Sequence, residues 1–422
     1  MSPASVLDVG LAAAPISVSE VIETRAVRSV YQPLIDLYSG ETVGYEALSR
    51  GPRATSLERP DQLFGAARDA GLTSELEWAC QRAAVEGALN TGLAPGQALF
   101  VNIEPGVSMS GRPADISRLG KQALARFPIF VELTERALTA NPAELLANVA
   151  RLRAMGARIA LDDVGADPRS LALMPFLAPE VIKLDLRLVQ ENPSRQVAEI
   201  VHAVSAEAER TGALVLAEGI ETEAHRQRAL ALGARYGQGW LFGRPADLPS
   251  PGRAVPDHVP EARADSSGLG SPFEIVTQDR PLRRGPKRLL LSLSLQIEAQ
   301  AVGLGPSAVL LSTFQEAQYF TPITAGRYER IAREAALVGA LGVGLPPAPA
   351  LGVRGVALEE SDPLRGEWDV TVIGSHFSMA FVARELGDNG ADMERRFDFA
   401  LTYERELALA AARAMMGRVA AL

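Results

Sequence analysis

The sequence predicts an α/β protein: a (β/α)8 barrel followed by a smaller α/β domain. Three observations lead there. From Ser29 onward, short aliphatic runs alternate with longer Ala/Arg/Glu/Leu segments of helical spacing. Six of those runs end in polar segments: Gly44-Tyr45-Glu46-Ala47-Leu48, Phe100-Val101-Asn102-Ile103, Phe130-Val131-Glu132-Leu133-Thr134-Glu135, Ile159-Ala160-Leu161-Asp162-Asp163, Val181-Ile182-Lys183-Leu184-Asp185 and Leu216-Ala217-Glu218-Gly219-Ile220-Glu221. A parallel barrel gathers its site at one rim, where every strand's carboxyl end opens. The third observation is a stretch rich in Pro, Gly and Ser at 249–272, beyond which the pattern starts again.

Each element follows from that rhythm. Residues 1–24 have no strong period and form a lead or a short docking helix ahead of the barrel at 25–248. The aliphatic runs are strands at 28–35, 42–48, 98–103, 129–133, 157–162, 180–184, 213–217 and 236–242. Helices fall at 60–70, 74–90, 116–125, 142–155, 168–176, 194–211 and 223–232. The segment 249–272 buries too little apolar surface to fold alone and reads as a linker. In the second domain, 273–422, helical 284–301 precedes a strand at 307–313, a helix at 325–341, strands at 349–357 and 366–374, and a terminal helix at 402–421.

Composition narrows the function. The 422 residues are 47% hydrophobic and 22% charged, with net charge −9. That balance disfavours non-specific capture of a nucleic-acid backbone, so a polyanionic ligand requires a local basic site or bound metal. No apolar run approaches the roughly 20 residues needed to span a bilayer, and no secretory leader is recognisable; a cytoplasmic protein is expected. Cys80 is the sole cysteine, which excludes an intrachain disulfide and a thiolate metal cluster. Any metal is then held mainly by oxygen.

Hard divalent cations such as Mg²⁺ and Mn²⁺ take carboxylate, amide and water oxygens, which Glu46, Asn102, Glu132, Asp162 and Asp163 supply. Neighbours on a strand face opposite ways, so both aspartates serve one pair of ions only if the chain turns there, as Gly165 allows. A two-metal site suits phosphodiester hydrolysis. Lys183 is placed to orient water or stabilise developing negative charge, and Glu218 is a second-metal ligand or a general base.

These residues carry a resemblance. Residues 27–246 resemble the EAL domain, a family of cyclic di-GMP phosphodiesterases with a modified (β/α)8 TIM-type barrel. Tyr31-Gln32-Pro33-Leu34 is similar to its opening strand, Glu46-Ala47-Leu48-Ser49-Arg50 to its name motif, and Gln238-Gly239-Trp240-Leu241-Phe242-Gly243-Arg244-Pro245 to its closing segment. The resemblance implies Glu46, Asn102, Glu132 and Asp162 as ligands of a first Mg or Mn ion, with Asp162, Asp163 and Glu218 on a second. It implies Lys183 beside the nucleophilic water and Gln32, Arg50 and Gln238 along the nucleotide. Glu221 matches a further acidic position of the site, and Glu135 the glutamate bracing the loop after the aspartates. The implied reaction opens cyclic di-GMP to linear pGpG, and the implied assembly is a homodimer through the barrel.

One departure stands out. The family's usual Asp-Asp-Phe-Gly-Thr-Gly-Tyr-Ser-Ser is here Asp162-Asp163-Val164-Gly165-Ala166-Asp167-Pro168-Arg169-Ser170. It loses a hydroxyl and a glycine and gains a stiff proline. The retained carboxylates favour an enzyme, while the altered loop favours a catalytically silent receptor of cyclic di-GMP or a protein-interaction module. Action on nucleic acid lacks the expected basic stripe with interleaved aromatics.

The second domain resembles the DICT domain, a sensory module, through Asp362–Gly374, Phe377–Arg384 and Arg395-Arg396-Phe397-Asp398-Phe399. Its effector is not specified by the motif. His376 reads as a partly buried, satisfied histidine, since no second His or Cys lies near in sequence. Phe314, Tyr319 and Phe320 read as core and rim aromatics, with stacking on a planar effector as the alternative. Leu341-Gly342-Val343-Gly344-Leu345 lacks the Gly-Lys pair of a phosphate loop and reads as a turn.

Overall fold

The computed structural model describes residues 16–103, 111–134, 141–167, 169–192, 194–251, 254, 260–261, 270–387 and 391–420. Eight strands close into a barrel: β1 Arg28–Asp36, β2 Thr42–Arg50, β3 Ala98–Asn102, β4 Ile129–Leu133, β5 Arg158–Val164, β6 Val181–Leu184, β7 Leu214–Ala217 and β8 Tyr236–Gly237. Strands β2 to β8 run parallel, but β1 is antiparallel to both neighbours, which corrects the all-parallel expectation. The cause is the link from β1 to β2. It is a tight turn in which Asp36 accepts from the Tyr38 and Ser39 amides and Gly40 sits at φ 75°. A parallel partner needs a crossover of about a dozen residues.

Strand β8 is shorter than expected. At Gly239 a Cβ would lie 2.1 Å from the Ile220 carbonyl oxygen, so the chain leaves the sheet and presses backbone to backbone. The seven expected barrel helices are present within two residues at each end, and a further short helix, Leu186–Gln190, follows β6. At the start, helix Val18–Glu23 is capped by Ser17 and buries Val18 and Val21 in a small core with Leu63, Leu76 and Cys80.

Inside the barrel the period of two sorts the residues into layers. Leu34, Ala98, Phe100, Phe130, Ala160, Val181, Leu216 and Tyr236 fill one apolar layer. Phe100 and Phe130 stack at 4.3 Å. Two residues further along the parallel strands come Asn102, Glu132, Asp162, Lys183, Glu218 and Gln238. The apolar layer is therefore the floor of a polar one.

The second domain is a seven-stranded mixed sheet in the order β12-β11-β10-β13-β14-β15-β9. Its strands are β9 Arg283–Pro286, β10 Val309–Glu316, β11 Leu337–Val343, β12 Arg354–Ala357, β13 Glu367–Ile373, β14 Ser378–Glu385 and β15 Arg396–Thr402. The expected helix at 325–341 is divided: helix Pro322–Glu334 ends and β11 begins. Leu337-Val338-Gly339-Ala340-Leu341 is buried between β10 and β12, and an apolar run buried on both faces has no period to separate strand from helix. Expected helix 284–301 likewise yields its first residues to β9 and runs Lys287–Leu304; the terminal helix is Arg405–Met416 because β15 takes residues to Thr402. The strand expected at 349–357 is reduced to β12 by a turn at Gly352, φ 75°. Strand β14 has no counterpart in the expected elements. Leu341–Val343 finishes β11 and the turn comes at Gly344. His376 is exposed in a bend, not partly buried, because the β13–β14 connection carries it outward.

Helix Arg405–Met416 packs on one face of this sheet and extends a continuous core toward the barrel. Leu311, Ile373, Leu409 and Met415 share one apolar cluster with Leu161, Leu171 and Leu177. Polar contacts fasten the joint: Arg413 donates to the Phe176 and Pro175 carbonyls at 3.1 and 2.9 Å, and the Ala143 amide donates to the Val419 carbonyl at 3.0 Å.

Candidate functional site

Strand register assembles the site. Gln32 lies opposite Glu46 across β1–β2, and Asn102 opposite Glu132 across β3–β4. Lys183, from β6, reaches the middle of the layer and is 1% exposed. Its ammonium lies 2.6 Å from Glu132, 2.8 Å from Asp162, 2.8 Å from Glu218 and 3.8 Å from Glu46. Asn102 donates to Glu46 Oε1 at 3.0 Å; Gln238 donates to Glu46 Oε2 at 2.5 Å and to Gln32 Oε1 at 3.1 Å. Gln32 in turn donates to the Gly243 carbonyl, which ties the closing segment to β1.

The aspartate pair is turned by its own backbone. Asp163 has φ 54°, a left-handed conformation costing a non-glycine residue about 1 kcal/mol, and β5 slips register against β6 between Leu161 and Val164. The bulge cancels the alternation of a regular strand. Carboxylate oxygens of Asp162, Asp163 and Glu218 consequently come within 4.8 Å of one another. Sequence reasoning located the turn at Gly165; the structure puts the decisive dihedral at Asp163.

The electrostatics follow from crowding and burial. Burial, joined by repulsion from Glu46 and Asp162 and resisted by Lys183, pushes Glu132 well above the usual carboxylate range. Glu218 is pushed up to about 8 by burial, against the pull of Lys183. Burial works against the Lys183 charge, yet the surrounding carboxylates outweigh it and hold its pKa well above the ordinary lysine value. Four carboxylates, Glu46, Glu132, Asp162 and Glu218, thus share one ammonium, and Asp163 adds a fifth negative charge beside them. When all are ionised, two divalent cations match the four remaining negative charges, and the donors are the hard oxygens such ions prefer.

Arg50 sits half-buried at the end of β2, its pKa lowered by burial and by Arg28. Residues 17–245, more than half of the chain, match the family model described as the EAL domain. The chain belongs to the EAL-domain family. Residues 275–386 match a second model, described as a sensory domain in diguanylate cyclases and two-component systems and abbreviated DICT.

Among curated relatives, an uncharacterized protein of Mycobacterium tuberculosis is 33% identical over 251 residues, covering 57% of this chain and 39% of its own length. The probable cyclic di-GMP phosphodiesterase PdeB of Escherichia coli is 30% identical over 234 residues, covering 53% of this chain and 44% of its own. The cyclic di-GMP phosphodiesterase RocR of Pseudomonas aeruginosa is 29% identical over 249 residues, 54% of this chain and 60% of its own. The chain therefore spans between 39% and 60% of the length of these relatives. A solved PaMucR phosphodiesterase complex with c-di-GMP is 27% identical, covering 55% of this chain and 96% of that one, with a TM-score of 0.46.

Of the residues singled out in the EAL barrel, Gln32, Glu46, Asn102, Glu132, Asp162, Asp163, Lys183, Glu218 and Gln238 converge on one rim. Glu221 is exposed beyond them, its amide donating to His225 Nδ1. Glu135 lies outside the described residues. Cys80 is buried with its thiol pushed up to about 12, first by burial, and takes no part. Sequence reasoning missed the Arg413 contact with helix Arg169–Leu177, which directly follows the altered loop; a lone arginine on a terminal helix carries no signal of its partner. Among the described residues, no helix is long and apolar enough to cross a membrane.

Proposed function

We propose that the protein is a metal-dependent phosphodiesterase that hydrolyses cyclic di-GMP to linear pGpG, with the barrel at 25–248 as catalytic unit and the domain at 273–422 as its regulator. The observation that carries this reading is the ring of four carboxylates around the buried Lys183, with the Asp163 carboxylate beside Asp162 and Glu218. Glu218, pushed up to about 8 by burial and by Asp162 and Glu46 despite Lys183, is a carboxylate whose ionised form a bound cation would favour.

Glu46, Asn102, Glu132 and Asp162 hold one ion, and Asp162, Asp163 and Glu218 the other, in this reading; both are magnesium or manganese. The ions, when bound, polarise the phosphodiester and acidify the attacking water. Lys183 orients that water and steadies the charge that gathers on phosphorus oxygens. One P–O bond forms, one breaks, and the ribose hydroxyl leaves with a proton. Gln32, Gln238 and Arg50 grip the nucleotide; Glu221 as a further acidic position of the site and Glu135 as the match to the loop-bracing glutamate belong to the same reading. Pairing of two barrels through the loop after Asp163 and a cytoplasmic setting belong to the same proposal.

The test is incubation of the full chain with cyclic di-GMP and Mg²⁺ or Mn²⁺, following linear dinucleotide by chromatography. Wild type should cleave, and Glu46→Ala should abolish cleavage while the barrel stays folded by circular dichroism. Cleavage unchanged by Glu46→Ala rejects the assigned site. Saturable binding without cleavage in either metal supports instead a silent receptor, the reading favoured by the fastened loop, where Ser170 accepts from the Gly165 amide and donates to the Asp167 carbonyl.

A further inference from the structure

A cavity of about 410 Å³ opens in the second domain, on the sheet face opposite helix Arg405–Met416. It lies between helix Lys287–Leu304 and the ends of β10, β13 and β15, and its size suits a small organic molecule. Its walls are aromatic. Trp368 stands edge-on to Phe397 at 5.8 Å, and Phe314 edge-on to Phe320 at 5.0 Å. Tyr319 closes one side with Lys287 Nζ 5.1 Å and Arg395 Cζ 5.8 Å from its ring centre.

The charges sit at the mouth. Lys287 and Arg395 both bind Asp392 Oδ1 at 2.8 Å, yet the Asp392 side chain is 62% exposed. Arg395 is also held by Glu385 at 2.6 Å, so the two mostly covered cations face two carboxylates, of which Asp392 is the more exposed and the one that water can claim at little cost. Deeper in, Arg327 is ion-paired with the buried Glu298, so the inner polar groups are already matched. The rim also holds a strained residue: β10 slips register between Thr313 and Glu316, and Gln315 has φ 56°. Such bulges re-aim side chains beside binding sites.

A cationic ligand would meet an aromatic ring already flanked by two cations. An aromatic anion meets the reverse: a flat wall for its ring, and two donors whose shared partner, Asp392, is exchangeable while Glu385 stays on Arg395. We propose that this cavity is the effector site of the second domain and takes a small planar aromatic carboxylate, its ring against Trp368 and its carboxylate on Lys287 and Arg395 in place of Asp392. The site lies wholly outside the barrel, so it stands or falls separately from phosphodiester cleavage.

Isothermal titration of the full chain with 1-naphthoate, methyl 1-naphthoate and 1-naphthylmethylammonium tests it. The carboxylate should bind at least tenfold more tightly than the ester or the cation. Lys287→Gln should weaken 1-naphthoate at least fivefold and leave the ester unchanged; Trp368→Leu should weaken both. Absence of saturable 1-naphthoate binding at millimolar concentration overturns the proposal, as does equal affinity for the three probes. Should Trp368→Leu not fold, Lys287→Gln decides alone: unchanged 1-naphthoate affinity in that variant overturns the assignment.

Discussion

Replacing Lys183 with Met removes the charge but keeps most of the side-chain volume. The ammonium lies 2.6–2.8 Å from Glu132, Asp162 and Glu218, and at an effective dielectric of ~20 each such pair attracts by about 6 kcal/mol. Most of that gross figure is offset by desolvation of buried ions, so the measurable cost of removing one partner is about 3–5 kcal/mol. Unfolding entropy of about 2.1 cal/mol/K per residue gives roughly 0.9 kcal/mol/K for a single cooperative transition of this chain, and hence a fall of about 3–6 °C in Tm. Thermal melts in EDTA, followed by circular dichroism, measure it. Saturating Mg²⁺ should raise the Tm of Lys183→Met more than that of wild type, because a cation then answers carboxylates the lysine has left. Coincident melts of the two proteins in EDTA would refute the idea that Lys183 is the counterion of this ring.

Metal affinity should rise with pH and level off above about 8, because Glu218, pushed up to about 8, sheds its proton to bind an ion. Titration calorimetry in two buffers of different ionisation enthalpy should show proton release at pH 7 that vanishes by pH 9. The same raised pKa means that the folded, metal-free protein keeps a proton that the unfolded chain releases near the ordinary glutamate value of 4.5, so the Glu218 contribution to stability declines as pH climbs from about 4.5 to about 8. Urea midpoints in EDTA across that window would detect it, and Glu218→Gln should flatten the dependence. Arg413→Ala should cost about 1–2 kcal/mol by leaving the Pro175 and Phe176 carbonyls unpaired, and hydrogen exchange should quicken within 169–177. Gly239→Ala should destabilise by about 2–3 kcal/mol, since the new methyl meets Ile220 backbone at 2.1 Å; an unchanged urea midpoint would show that the segment can move aside.

Much of the barrel site is legible because a parallel barrel converts a local period into a shared layer. Phe100 and Asn102, Phe130 and Glu132, Ala160 and Asp162, Val181 and Lys183, and Leu216 and Glu218 each repeat the step from an apolar residue to a polar one two positions on. What stays hidden is the departure from period: the left-handed Asp163, which a sequence rule assigns to the outer face. The reversed β1 was also missed, although the short stretch from Asp36 to Thr42 forbids a crossover. The second domain was harder for a different reason. Its β11, second from the sheet edge, is apolar on both faces, and β15 pairs on one side with β9, far earlier in the chain.

The continuous packing of Leu171 and Leu177 with Leu409 and Met415 bears on how such proteins change over time. A descendant that shed its C-terminal half would bare aliphatic surface on the barrel's outer wall and leave helix Arg169–Leu177 without the guanidinium that binds its last turn. Parting the two domains would therefore expose this seam, and a swap of sensory modules should succeed only if the incoming one carries a matching apolar helix.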